Sequence, residues 1–170
     1  FIDQNFKDST FLDQGPGQYD FGELAKKKGA KKIYCIDNDE AVVNLGLYKG
    51  YEVEFANIKD TNFNTFNIHF DGLFNKFSMN CFWFSNESEH IKFITNINNL
   101  LTVDGWAWIC PWNGISNKNL DTKIIKKMLN LQIDIFKSQG FDAFKLSFFQ
   151  TRKYGVYGKV ENNILFIKNL

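Results

Sequence analysis

Cysteine and histidine are scarce in the 170 residues, and their placement excludes several chemistries. Cys35, Cys81 and Cys110 are odd in number and far apart, and no C-x-x-C pair or Cys/His cluster exists. Neither a disulfide framework nor a zinc site is therefore expected, no metal is expected, and a reducing, cytoplasmic compartment is favoured. Long apolar runs are missing too: none approaches the ~20 residues of a membrane span, and no signal peptide is visible, although the chain opens on Phe1. Charge of one sign is also lacking. A net charge of +1 gives no global case for nucleic acid or an anionic membrane as partner. No internal repeat, low-complexity segment or linker interrupts the chain. With 44% hydrophobic and 23% charged residues, one globular domain over 1–170 is expected.

What is present is a regular alternation of short β-like runs with helical ones. Gln18 to Lys28 has Phe21, Leu24 and Ala25 on one helical face, with Gly29 as its C-cap. The run 31–37 reads as a strand buried on both faces. Asp39 can cap a helix over 40–49 with Val42, Leu45 and Gly46 inward. Residues 51–55 and 70–77 read as strands. Asn86 and Glu89 form a capping-box pair opening a helix over 87–101, with Ile94, Ile97 and Leu101 on a stripe. A strand over 105–111 stops at Pro111. Ile124, Met128, Leu131 and Ile135 mark a long amphipathic helix ended by Gly140. The tail from Phe144 onward is β-rich, with a turn at Asn162-Asn163 and no helix between its two strands.

Alternation of this kind predicts an α/β fold: a doubly wound, mostly parallel seven-stranded sheet with helices on both faces and an antiparallel C-terminal hairpin. Ligands in such folds sit at the carboxyl ends of the strands, at the switch point. At that end the first strand leads into Asp13-Gln14-Gly15-Pro16-Gly17, where two glycines remove side chains and let backbone N–H groups approach a ligand. Asp37 sits about twenty residues on, at the tip of the second strand, where a carboxylate can accept both hydroxyls of a ribose. The third glycine of a dinucleotide fingerprint is displaced to Gly22, and Asp20 puts negative charge where a pyrophosphate would lie. A cationic, phosphate-free nucleoside cofactor suits that charge better.

These segments resemble class I S-adenosylmethionine-dependent methyltransferases over nearly the whole chain. "LDQGPG" (12–17) is similar to the family's first motif, "YCIDND" (34–39) to its acidic second-strand motif and "EFANIKD" (54–60) to its adenine-contacting segment. "FDGLFNKFS" (70–78) resembles the fourth strand and "LLTVDGWAWICP" (100–111) the approach to strand five. The resemblance implies S-adenosyl-L-methionine as cofactor. Gly15 and Gly17 would line its methionine part, with Asp13 supporting the turn. Asp37 would hold the ribose hydroxyls, Asn38 lie beside the adenosine, Asn57 accept from the adenine amino group and Ile58 pack on the adenine face. The carbonyl around Asn75 would meet the ammonium. Gln14 departs from the small or apolar residue common at its position, and Asp104-Gly105 from a Gly pair.

Methyl transfer from a sulfonium is an in-line displacement in which the protein supplies alignment, desolvation and sometimes a base. His90, in the first turn of the helix after strand four, is the candidate base, weighed against a solvated helix-start histidine. Lys76, Ser78 and Asn80 follow strand four at the cleft and could bind an acceptor or merely form a loop. Trp112 and Asn113 lie beyond Pro111 at the cofactor end, where they could stack on and hydrogen-bond a sugar or ring, while Trp106 and Trp108 read as core. Position 75–78 reads Asn-Lys-Phe-Ser rather than the [D/N]-P-P-[Y/F/W] of base-amino methyltransferases, which argues against amino methylation of nucleic acid. The lysine run 25–32 reads as a solvated helix end. The expectation is a methyltransferase acting on a hydroxyl of a small molecule or glycan, with no membrane partner and a homodimer allowed. Its rivals are a non-catalytic methyltransferase-like module, an NAD-dependent oxidoreductase, and RNA or protein methylation, which a basic rim absent from the sequence would favour.

Overall fold

β-branched and aromatic residues between glycine turns make the centre of this chain a sheet, and its helices take the amphipathic stretches between. The computed structural model describes residues 6–58, 66–76, 86–110, 122–152 and 164–169. In chain order the elements are β1 (Thr10–Gln14), α1 (Asp20–Lys27), β2 (Lys32–Asp37), α2 (Glu40–Tyr48), β3 (Glu52–Phe55), β4 (Phe70–Lys76), α3 (Glu87–Leu100), β5 (Leu101–Cys110), α4 (Thr122–Ser138), β6 (Phe141–Lys145), α5 (Phe148–Arg152) and β7 (Ile164–Lys168). The seven strands form one sheet in the order β3-β2-β1-β4-β5-β7-β6. All pairings are parallel except those of β7 with β5 and β6. This is the predicted doubly wound sheet with its antiparallel C-terminal pair.

The two faces differ in chemistry. One face carries Leu12, Ile36, Leu73, Ala107 and Ile109 under α3 and α4, which bring Phe93, Ile94, Ile97, Leu129 and Phe136. The other is mostly aromatic: Phe11, Phe74, Trp106 and Trp108 from the strands meet Phe6, Tyr19 and Phe21. Alternation along each strand sorts the side chains to these layers. Gly72 makes the aromatic face possible, because a Cβ there would overlap the Trp106 indole and lie 2.9 Å from Phe11 Cδ1. Trp106 and Trp108 are core residues, as their spacing predicts.

The local signals hold with small shifts. The Asp39 side chain accepts from Ala41 N at 2.9 Å and caps α2. Asn86 and Glu89 form the predicted capping box: Asn86 Oδ1 accepts from Glu89 N at 3.0 Å while Asn86 Nδ2 donates to Glu89 Oε1 at 3.3 Å. Three expectations need correction. Within α2 the buried positions are Val43 and Gly46, with Val42 and Leu45 half-buried against the aromatic layer. β5 starts at Leu101, four residues early, because Thr102 and the left-handed Asp104 form an irregularity that re-registers it on β4. The closing strands are separated by α5, not joined without a helix. Its start carries a second capping box, in which Ser147 N donates to Gln150 Oε1 at 2.7 Å and Gln150 N to Ser147 Oγ at 3.3 Å. The S-x-x-Q pattern at 147–150 was the available signal. The turn expected at Asn162-Asn163 lies outside the described residues.

Candidate cofactor and acceptor site

Strand register sets the geometry of the crevice. Ile36, Gln14, Asn75 and Ile109 lie side by side across β2, β1, β4 and β5. One residue further along, Gly15 and Asp37 leave their strands next to each other, and Gly15 N still donates to Ile36 O at 2.8 Å. The strand order reverses between β1 and β4, so connections on either side of that gap run in opposite directions and open a crevice at the carboxyl ends.

The turn after β1 uses three left-handed residues in five: Gly15 at φ 70°, Gly17 at φ 53° and Tyr19 at φ 69°. Glycine takes that conformation without strain, whereas tyrosine does so at a cost that surrounding contacts must offset. At Gly17 an added Cβ would meet nothing within 4 Å, so the bend faces open space. Tyr19 closes the turn, its N–H donating to Pro16 O at 2.8 Å, and its buried ring reaches across to α2, where the hydroxyl donates to Val42 O at 2.8 Å. Tyr51 stacks on that ring at 4.9 Å and donates to Glu23 Oε1 at 3.0 Å. The glycine turn is thus tied to the helix that follows Asp37, a link the sequence did not announce.

Asp37 is half-buried at the tip of β2. Its Oδ1 accepts from Asp39 N at 2.9 Å. Burial pushes its carboxyl above the ordinary value, while the N–H groups of Asp39 and Asn38 pull the other way. Ala56 N donates to Asp37 O at 3.0 Å, which carries the chain after β3 past this carboxylate. Exposed Asn57 and buried Ile58 follow at once. Asn38 is exposed beside Asp37, and Asp13 is buried beneath the turn at the end of β1. Asp13, Gly15, Gly17, Asp37, Asn38, Asn57, Ile58 and Asn75 are therefore gathered at the carboxyl ends of four neighbouring strands. The electrostatics are acidic: the Tyr19 hydroxyl is pushed well above its usual range, first by burial and then by the fields of Cys35, Asp37 and Asp13. Asp20 and Glu23 add negative charge in the first turn of α1.

His90 is neither of the two alternatives read from the sequence. It is fully buried under α4, with Nδ1 2.8 Å from Gln132 Nε2. The stripe that carries Phe93, Ile94 and Ile97 onto the sheet also carries position 90 inward, so the solvent-facing base expected there is an interior residue. Burial lowers its pKa, against the opposing pull of Glu89 and Glu87. The unfolded chain would protonate the ring near its ordinary 6.5, while the fold resists it. Acidification therefore favours unfolding, and stability is lost as pH falls through about 6.5, at up to ~1.4 kcal/mol per pH unit for one proton. Melting curves between pH 7.5 and 5, on the order of one unit apart, should show this slope in wild type and a flatter one in His90→Gln.

Of the acceptor candidates, Lys76 ends β4, at the crevice side as expected. Ser78, Asn80, Trp112 and Asn113 lie outside the described residues. His69 is exposed just before β4, at the far end of the sheet. The lysine run also sits at that far end, where Lys32 pairs with Glu52 and Lys26 Nζ lies 3.6 Å from the Tyr51 ring centroid.

No family model and no curated protein matches the chain. Many solved structures do. A TehB-like SAM-dependent methyltransferase from Corynebacterium glutamicum superposes with a TM-score of 0.62 at 16% identity, covering 96% of this chain and 82% of that one. An rRNA methylase from Streptococcus thermophilus gives 0.58 at 10% identity, covering 99% and 92%. A ribosomal protein L11 methylase from Lactobacillus delbrueckii gives 0.60 at 14% identity, covering 96% and 72%. The chain therefore has the class I methyltransferase fold, as its motifs predict. The names of these neighbours span RNA and protein acceptors, so the shared fold leaves the acceptor open.

Proposed function

We propose that this protein is an S-adenosylmethionine-dependent methyltransferase that acts on a hydroxyl of a small molecule or glycan. The observation that carries the cofactor assignment is the left-handed Gly15–Gly17 bend, open at Gly17 and lying directly beside Asp37 at the switch point. Asp37 would accept both ribose hydroxyls, the bend would admit the methionine chain to backbone N–H groups, and Ile58 would pack on adenine beside Asn57 and Asn38. The Asn75 carbonyl would take the ammonium. Bound here, the cofactor would supply an activated methyl group on a sulfonium. The acidic surroundings of Asp13, Asp20 and Asp37 support a cationic ligand over the pyrophosphate of a dinucleotide. His90 lies inside the fold against Gln132 and is given no role as a base in this reading.

Several neighbouring structures are rRNA methylases, which makes an RNA acceptor the alternative reading. The net charge of +1 favours the small molecule or glycan, and Asn-Lys-Phe-Ser at 75–78 counts against the base-amino form of the RNA reading only. Calorimetric titration tests the cofactor claim: S-adenosylhomocysteine should bind at micromolar concentration or tighter, about −8 kcal/mol, while NAD(H) should not bind. The reverse order of affinities would replace the methyltransferase reading with the oxidoreductase one. Binding without turnover on any acceptor would favour a non-catalytic module.

A further inference from the structure

Among the described residues the buried polar or charged side chains are Asp13, Gln14, Asn75, His90 and Gln132. Two of them form a pair across the switch point. Gln14 and Asn75 are register partners at the ends of β1 and β4 and are 0% and 1% exposed. Alternation from Leu12 and Leu73 puts both side chains on the α3 and α4 face, whereas Asp13 shares the aromatic face with Phe11 and Phe74. Asn75 Nδ2 donates to Gln14 Oε1 at 3.3 Å. That single bond leaves Gln14 Nε2 and Asn75 Oδ1 buried without a hydrogen-bond partner.

The inventory does not depend on how the amides are turned. If both are flipped, Gln14 donates to Asn75 and the pair still presents one free donor and one free acceptor. A buried donor and acceptor left unmet is a free-energy cost that two apolar side chains of the same size would not carry. Gln14 is also where the sequence departs from the small or apolar residue common in the family it resembles. The unmet amide pair stands at the carboxyl ends of β1 and β4, one residue before the glycine turn, and offers one donor and one acceptor to a group that reaches it.

We propose that Gln14 and Asn75 together recognise a hydroxyl group of the methyl acceptor, Gln14 Nε2 donating to its oxygen and Asn75 Oδ1 accepting its proton. This rests on the methyltransferase reading. A carboxylate or phosphate would satisfy the donor alone and an ammonium the acceptor alone, whereas a hydroxyl gives one bond and takes one. The second buried pair on this face, His90 with Gln132, brings no formal charge that would call for an ion, its histidine being held toward the neutral form.

The test uses the full chain, 15N-labelled and saturated with S-adenosylhomocysteine, with the side-chain NH2 signals of Gln14 and Asn75 as the readout. Glycerol and ribose are the hydroxyl probes, and acetate and methylammonium are the charged controls. The expected result is that a hydroxyl probe shifts both NH2 signals and neither ion does; a response to ribose alone would point to a ribonucleotide source, a response to both to a free polyol or glycan. Gln14→Met, close to isosteric and apolar, should leave S-adenosylhomocysteine affinity within about twofold and abolish the probe-dependent shift of Asn75. Equal shifts with acetate, no shift with any probe, or an Asn75 response that survives in Gln14→Met would overturn the proposal; the second is what a buried water satisfying both amides would give, and the third would show a probe bound without Gln14. Failure of S-adenosylhomocysteine to bind the wild type would instead remove the methyltransferase reading itself.

Discussion

Asp37→Ala is expected to raise the dissociation constant for S-adenosylhomocysteine by on the order of a hundredfold or more. Two hydrogen bonds from ribose hydroxyls to one carboxylate are charge-assisted, and each such bond contributes about 1.5–3 kcal/mol. Losing both costs about 3 kcal/mol at the lower end, and each 1.4 kcal/mol is about tenfold in affinity. The fold should survive. Asp37 is half-buried, and within the protein the substitution removes its bonds to the backbone at the start of α2, where Asp39 still supplies the cap. A melting temperature near that of wild type would show this, and calorimetry on the same sample would give the affinity. An unchanged affinity would mean that the ribose is held elsewhere, and the reading of the crevice would go with it.

Gly46→Ala is the second large effect, and it is read first as stability. Gly46 lies where α2 crosses the Tyr19 ring. A Cβ there would sit inside the van der Waals envelope of the Tyr19 hydroxyl and against Val53 Cγ2. Neither neighbour can move freely: Tyr19 is fully buried, held by Val42 O and stacked on Tyr51, and Val53 belongs to β3. Overpacking of a filled interior costs about 1–3 kcal/mol, and the upper end applies because a ring and a strand must both shift. At 2–4 °C per kcal/mol for a chain of this size, the melting temperature should fall by about 6–12 °C. Because Tyr19 also closes the glycine turn through Pro16 O, affinity for S-adenosylhomocysteine should fall with it. A melting curve that did not move would show that Tyr19 is not wedged over α2 as described.

Much of this architecture was legible in the residues, for a physical reason. Helix stripes, strand runs, the caps at Asp39 and Asn86 and the glycine punctuation are local, set by side chains within a few positions of one another. Most survive in the structure within a residue or two, the starts of β5 and β6 being the exceptions. Where local signals were overlooked the sequence still held them, as with Ser147 and Gln150 at the start of α5. The motif around Gly15 and Gly17 was legible for the same reason, since a left-handed bend needs glycine wherever the chain goes next.

The sequence by itself thus determined the order of strands and helices, the two-faced burial of the sheet, and the pairing of a glycine bend with an acidic strand tip. The tertiary structure alone decided what happens between segments far apart in the chain. It put His90 inside against Gln132, strapped the glycine turn to α2 through Tyr19, carved Gly46 and Gly72 to admit rings from other elements, and set Gln14 against Asn75 with a donor and an acceptor to spare. Those outcomes depend on which surfaces meet when β1 and β4 become neighbours across 61 residues, and no local period carries that information.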